Sequence, residues 1–283
     1  MKRKLTISAL VALALSAVAA APASAGHSWG GYHWSQAKTS ATSVRVDLGD
    51  NLVRTASSDW PAIFNGASPT GANVTFNWSN LNLFPLPSAT TPGGNIFPDI
   101  LETPRVTGAN LTSQKRCRPK SGRVEVCNAR YGSNGWLGLA QVWISGGHIV
   151  QGTAKANDSY LDSTRYTTVA KQHVLCQEVG HTFGLGHTSE NGQDDNTCMD
   201  YADAFDNPHT DDHDNEQIKA IYTAHDDLAS TSTSTSTTGK GKVRRVRKDL
   251  YVETFPNGDK VFTFVTFTDA AAADRAPNDR VPE

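Results

Sequence analysis

Apolar and polar side chains alternate over Ser43-Val44-Arg45-Val46-Asp47-Leu48 and again over Asn73-Val74-Thr75-Phe76-Asn77-Trp78, the period of half-buried strands. The run Trp136-Leu137-Gly138-Leu139-Ala140-Gln141-Val142-Trp143-Ile144 is mostly apolar and predicts a more deeply buried strand. Ser145-Gly146-Gly147 then supplies a turn into the partly alternating stretch 148–156, so an antiparallel pair is expected. Residues 167–184 carry the helical period. At ~100° per residue Val169, Leu175, Cys176, Val179 and Phe183 share one side, Gln177, Glu178 and His181 lie opposite, and Gly184 is placed to end the helix. A second helix is predicted over 212–225, with Asp211, Asp212 and Asp214 at its positive end and Ile218 and Ile221 as its buried stripe. A short helix is expected within 55–64, where Ser57, Ser58 and Asp59 can cap and Pro61 stands early. Residues 81–113 hold five prolines and read as irregular loops.

The two ends behave differently from this middle. Lys2, Arg3 and Lys4 precede an apolar stretch to about residue 20 and then Ala23-Ser24-Ala25, the pattern of a secretory signal peptide over 1–25. An exported chain, extracellular or periplasmic, is expected. Later segments fall short of the ~20 apolar residues of a membrane span, so no stable membrane association is expected. After Ala229 a Ser/Thr repeat runs to Thr238 and a basic stretch to Lys248, together a linker over 229–248. The basic stretch could meet an anionic surface or a processing protease, but a solvated spacer is the reading adopted. Residues 249–283 then read as a small appended hairpin and tail, turning at Asn257-Gly258. Residues 26–228 remain as one α+β domain.

Composition narrows the partners. Hydrophobic residues make up 38% of the chain, enough for a packed core, and 26 basic against 28 acidic side chains give a net charge of −2, which singles out neither nucleic acid nor membrane. A monomer is expected. The four cysteines suit an oxidising compartment. Of their three pairings, Cys117 with Cys127 across a turn-rich stretch is preferred, which leaves Cys176 for Cys198.

The chemistry concentrates in Gln177-Glu178-Val179-Gly180-His181-Thr182-Phe183-Gly184-Leu185-Gly186-His187. Positions i and i+4 of a helix face the same way, so residues 177 and 181 can reach one ion, and a chain that breaks at Gly184 can bring His187 back as a third ligand. Glu178 is then placed to take a proton from a water that the metal acidifies.

This stretch resembles the metzincin zinc peptidases, whose signature is HExxHxxGxxH followed by a methionine turn, here matched by Cys198-Met199-Asp200-Tyr201. The resemblance covers about 173–225. It implies a zincin-like α+β fold, with a twisted mixed sheet, an active-site helix, the turn at Met199 and a C-terminal helix. It also implies Zn2+ as cofactor, Gln177, His181 and His187 as the metal set, Glu178 as general base, and peptide-bond hydrolysis. Tyr201 stands where some members carry a tyrosine that reaches the zinc, so it is a candidate ligand or oxyanion donor, with a core tyrosine as the alternative. The segment 148–156 is the counterpart of the edge strand that receives substrate. The chain departs at the first position, where Gln177 replaces histidine. Three alternatives stay open: Gln177 ligates through its amide oxygen, another group completes the site, or the site binds peptide without cleaving it. His173 cannot substitute, because eight residues of helix separate it from His181 by roughly 12 Å; it is expected to be partly exposed or capping. Asp194, Asp195, Asp211, Asp212 and Asp214 lack the spacing of a calcium loop and read as solvated loop and helix-start carboxylates.

Overall fold

The structure is a computed structural model that describes residues 27–34, 38–40, 43–60, 63, 72–77, 100–102, 117–189, 192–201, 205–223 and 239–282. The expected signal peptide, the Ser/Thr repeat at 230–238 and most of 81–113 lie outside these residues.

The two alternating segments become β2 and β3 in the series β1 (Lys38–Ser40), β2 (Ser43–Asn51), β3 (Ala72–Asn77) and β4 (Ile100–Glu102). The apolar middle supplies β5 (Arg123–Ala129), β6 (Trp136–Ser145) and β7 (His148–Asn157). The C-terminal region adds β8 (Lys242–Arg245), β9 (Leu250–Thr254) and β10 (Lys260–Phe267). All ten form one mixed sheet in the order β4-β3-β2-β5-β7-β6-β10-β9-β8, with β1 paired to β2. The β2–β5 and β5–β7 pairings are parallel, and the other pairings among the described residues are antiparallel.

β6 and β7 form the expected hairpin. Its turn needs two residues with positive φ, and Gly146 and Gly147 supply φ of 59° and 86°. The segment 148–156 is nevertheless not an edge. β7 bonds to β5 on one side and β6 on the other, so its backbone groups are already used within the sheet. The strand beyond it is β6, and β6 in turn is covered by β10, with Lys260 opposite Ile144 through Val265 opposite Leu139.

Four helices complete the described chain: α1 (Asp158–Leu161), α2 (Thr168–His181), α3 (Asp212–Thr223) and α4 (Ala270–Arg275). Within the expected 55–64 helix, one turn is described, closed by Ile63 N–H donating to Asp59 O at 2.8 Å. Thr167 caps α2 by accepting from Ala170 N–H, and Gly184, at φ 104°, ends the turn that follows. Val174, Leu175, Val179 and Phe183 of α2 pack with Val124, Val126, Leu137, Ala140 and Val142 of the sheet in the main core. The sequence suggests one apolar side and one polar side. The structure buries α2 from Ala170 to His181 all round, while Val169 is 41% exposed. The polar side is covered because β10 extends the sheet past it.

That extension changes the reading of residues 249–283. The hairpin turns at Asn257-Gly258 as expected, but it is continuous with the sheet rather than appended to it. Alternation on β10 explains why: Phe262 and Phe264 join the α2-side core, while Val265 and Phe267 join a second cluster with Trp136, Leu139, Tyr251, Ala272 and Ala273 on the opposite face. A strand apolar on both faces is not stable at a solvated edge. The basic stretch expected as part of the linker includes β8, the outermost strand of this end.

Cys117–Cys127 and Cys176–Cys198 are both bridged, with Cα separations of 5.9 and 6.0 Å. The second ties α2 to the segment holding Met199. Among the described residues no helix is long and apolar enough to cross a membrane.

Candidate active site

α2 delivers Gln177, Glu178 and His181 to the side facing β6 and β10, and the chain beyond Gly184 returns His187 to them. The His181 and His187 rings lie 4.8 Å apart, and the Tyr201 ring lies 4.9 Å from that of His187. Met199 runs beneath the helix. A side chain at Gly180 would collide with the Met199 sulfur, so glycine there lets the turn approach, and Thr188 N–H donates to Met199 O at 2.8 Å. Close approach on the other side depends on Gly138 of β6, where a Cβ would overlap the Glu178 carboxylate. Two indoles fix the end of the helix: Trp29 donates to His181 O at 3.0 Å and Trp34 to Thr182 O at 2.8 Å. These bonds satisfy carbonyls that a helix end leaves without partners. The residues singled out from sequence thus converge: Gln177, Glu178, His181, His187, Met199 and Tyr201.

Burial dominates their electrostatics. Glu178 is fully buried, and loss of water pushes its carboxyl up to about 8, against the opposing pull of the Thr266 hydroxyl. Thr266 Oγ1 lies 2.5 Å from Gln177 Oε1 and 2.6 Å from Glu178 Oε1. A hydroxyl has one proton to give, so a protonated Glu178 donating through Oε1 to Thr266, which donates to Gln177, gives these three oxygens partners, while Glu178 Oε2 has none. Burial and the neighbouring His187 hold His181 well below its ordinary value.

The fit to zinc is incomplete in this arrangement. His181 Nδ1 faces Leu185 O at 2.8 Å and so carries the proton, which leaves Nε2 with the lone pair that a metal ligand needs. His187 Nε2 is buried without a hydrogen-bond partner. Both imidazoles therefore suit a metal. Gln177 does not, because its amide nitrogen donates to Asp200 O at 2.7 Å while its oxygen accepts from Thr266.

Three further residues at the site were not singled out from sequence. Thr266 is one, and Phe264 of the same strand stacks on His181, with centroids 4.1 Å apart and planes at 13°. Asp249 is the third, its Oδ2 lying 3.1 Å from His187 Nδ1. Burial would raise the Asp249 carboxyl, but His187 and Arg247 outweigh it and hold the group down at about 2. These three lie 62 or more positions after His187 and form no local motif with it. The only sequence signal was the Asn-Gly hairpin that carries them.

Other expectations are corrected. His173 is fully buried rather than partly exposed, since the loop bearing Phe205 and Asn207 packs over it; Nδ1 meets Asn207 O at 2.8 Å, and burial lowers its pKa to about 4. Asp214 is not solvated either. It accepts from the Thr197 hydroxyl and from Asp211 N–H at the start of α3, and burial with Asp211 nearby raises its pKa. Asp194 caps its own loop through Asn196 N–H at 2.9 Å. Among the described residues, the one set of three ligand-type side chains with ligand atoms all within 4.8 Å is His27, His213 and Asp214, which shares no side chain with the stretch 177–187. His27 Nδ1 meets Gly186 O at 3.0 Å, Nε2 lies 3.3 Å from Asp214 Oδ1, and its ring stacks on His213.

The space beside Gln177, Tyr201 and Thr266 is about 50 Å³, room for a water or two and not for a peptide. A cavity of about 980 Å³ lies on the other face of the sheet against residues 277–282 and holds none of these side chains. No known protein family matches the chain, and no curated protein or solved structure is significantly similar to it.

Proposed function

We propose that the protein is an exported zinc-dependent endopeptidase of the metzincin kind that hydrolyses peptide or protein substrates. The observation that carries this reading is the convergence of Glu178, His181 and His187 over Met199, with the His181 Nδ1 proton turned to Leu185 O and His187 Nε2 buried without a hydrogen-bond partner. Zinc, when bound, would polarise the scissile carbonyl and acidify a water. His181 and His187 would hold it, with Gln177 as third ligand once its oxygen is released from Thr266. Glu178, ionised once Thr266 is displaced and water is admitted, would take the proton of the attacking water and afterwards give it to the leaving amine. Tyr201, beside His187, would steady the developing oxyanion. The two disulfides support an oxidising destination.

A second reading is that the protein binds extended peptide without cleaving it. What favours it is Gln177, whose amide is engaged at both ends. Zinc content and hydrolysis of an unfolded protein substrate, measured for the native chain, Gln177→His and Glu178→Ala, separate the two. The peptidase reading expects activity that Glu178→Ala lowers on the order of 100-fold or more, the range of a lost general base. A native chain that takes up no zinc and cleaves nothing, while Gln177→His does both, leaves only the binding reading.

A further inference from the structure

β6 runs along the polar side of α2, and its outer edge is the place where an extended chain would lie across Gln177, Glu178 and His181. In this molecule that place is taken. β10 pairs with β6 in antiparallel register from Lys260 to Thr266, with Thr266 opposite Gly138. Alternation then directs Phe262, Phe264 and Thr266 to the α2 side. Each candidate site group meets one residue of this segment: Gln177 and Glu178 meet Thr266, His181 meets Phe264, and His187 meets Asp249. An occupant that engages the general base and every candidate metal ligand leaves no room for another chain, in keeping with the small space that remains.

The chain leading into this segment carries accessible basic residues. It follows a Ser/Thr repeat and begins with Lys240 and Lys242, both exposed or nearly so at the chain surface, and Arg244 on the outermost strand β8. Basic side chains at an accessible edge are what a trypsin-like peptidase reads.

We propose that residues 249–267 occupy the substrate groove of their own chain by strand addition to β6, so that the protein carries its inhibitor at the C-terminal side of the site. Hydrolysis on the basic stretch before β9 turns this covalent occupant into a dissociable one. β10 also defines the substrate class, an extended segment antiparallel to β6 with aromatic side chains at alternate positions facing α2. This rests on the peptide-site reading above and does not require that cleavage occurs.

The test uses the full chain with a sequence-specific protease site inserted between Thr238 and Gly239, intact and cut, together with a synthetic peptide of residues 259–268. Three readouts apply: amide hydrogen exchange over 138–144, thermal unfolding, and hydrolysis of an unfolded protein substrate. After cutting, excess peptide is expected to displace the C-terminal fragment. The 138–144 amides should lose protection when the fragment leaves and regain it with peptide, while the rest of the sheet stays folded. Hydrolysis should rise on the order of tenfold or more on cutting, because the intact chain offers its groove only in the minor population with β10 detached, and peptide should suppress it. Displacement without hydrolysis supports the occupied groove and removes the peptidase reading. Equal hydrolysis by intact and cut chains removes the inhibitor and keeps the peptidase. A fragment that excess peptide cannot displace, or whose loss unfolds the sheet, makes β10 a structural strand and overturns the proposal.

Discussion

At Gly180 the helix has no side chain and the Met199 sulfur fills the space a methyl would need. Met199 is fully buried, so it cannot swing into solvent to make room. Gly180→Ala gains about 1 kcal/mol of helix propensity and meets an overpacking cost of about 1–3 kcal/mol. With the sulfur overlapping the added carbon the steric term is the larger, and a net loss of up to about 2 kcal/mol is expected as a lower urea midpoint at unchanged slope. A midpoint equal to or above the native value would mean that the Met199 turn yields freely. The spacing of Glu178, Gly180, His181, Gly184, His187 and Met199 was legible because it is local, set by helical period and by one glycine-broken turn. The environment of Gln177 was not, since its oxygen is held by a hydroxyl 89 positions later on a strand whose own sequence predicts only a hairpin. His173 misled for the same reason: four residues before Gln177 it reads as a helix-start polar group, and it is a distant loop that buries it.

Between elements, the Cys176–Cys198 bridge is the one covalent tie from α2 to the Met199 turn. It closes a sequence separation of 22 residues, and loop-closure entropy assigns a link of that length about 3 kcal/mol. Cys176→Ser with Cys198→Ser is therefore expected to lower unfolding free energy by about 3 kcal/mol. Thermal unfolding followed by near-ultraviolet circular dichroism checks it, and a loss well under about 1 kcal/mol would mean that packing at Val179, Phe183 and Met199 already restrains the turn. The strands of the middle were legible from alternation and apolar runs, as were the two longer helices. Their neighbours in the sheet were not. A period of two tells which residues share a face, but it does not say which strand supplies the next backbone, so 148–156 could be taken for an edge when it is interior. β10 shows the same limit in reverse: both of its faces are apolar, a pattern of burial that its place after a Ser/Thr repeat concealed.

Across the whole molecule, distant segments meet around buried carboxyls, and Asp158 offers the clearest global readout. It accepts from the Trp60 indole at 2.7 Å and from Asn128 Nδ2 at 2.7 Å, joining the 55–63 segment, β5 and α1. Burial, with Asp162 nearby, raises its pKa from 3.8 to about 6, more than these two donors and Arg130 lower it. An unfolded chain releases this proton near its ordinary value while the folded chain keeps it, so the contribution is fully present below about pH 4 and is lost as pH rises to about 6. A rise of that size corresponds to about 3 kcal/mol. Asp158→Asn has no proton to release and forfeits one acceptor, a cost that does not vary with pH. The native-minus-variant difference in unfolding free energy is therefore expected to fall by on the order of 2–3 kcal/mol between about pH 4 and pH 7. Urea midpoints across that range measure it. A difference that stays flat would place the carboxylate, satisfied by its two donors, at its ordinary pKa, and would make the Trp60 and Asn128 hydrogen bonds, rather than burial, the controlling interaction at this junction.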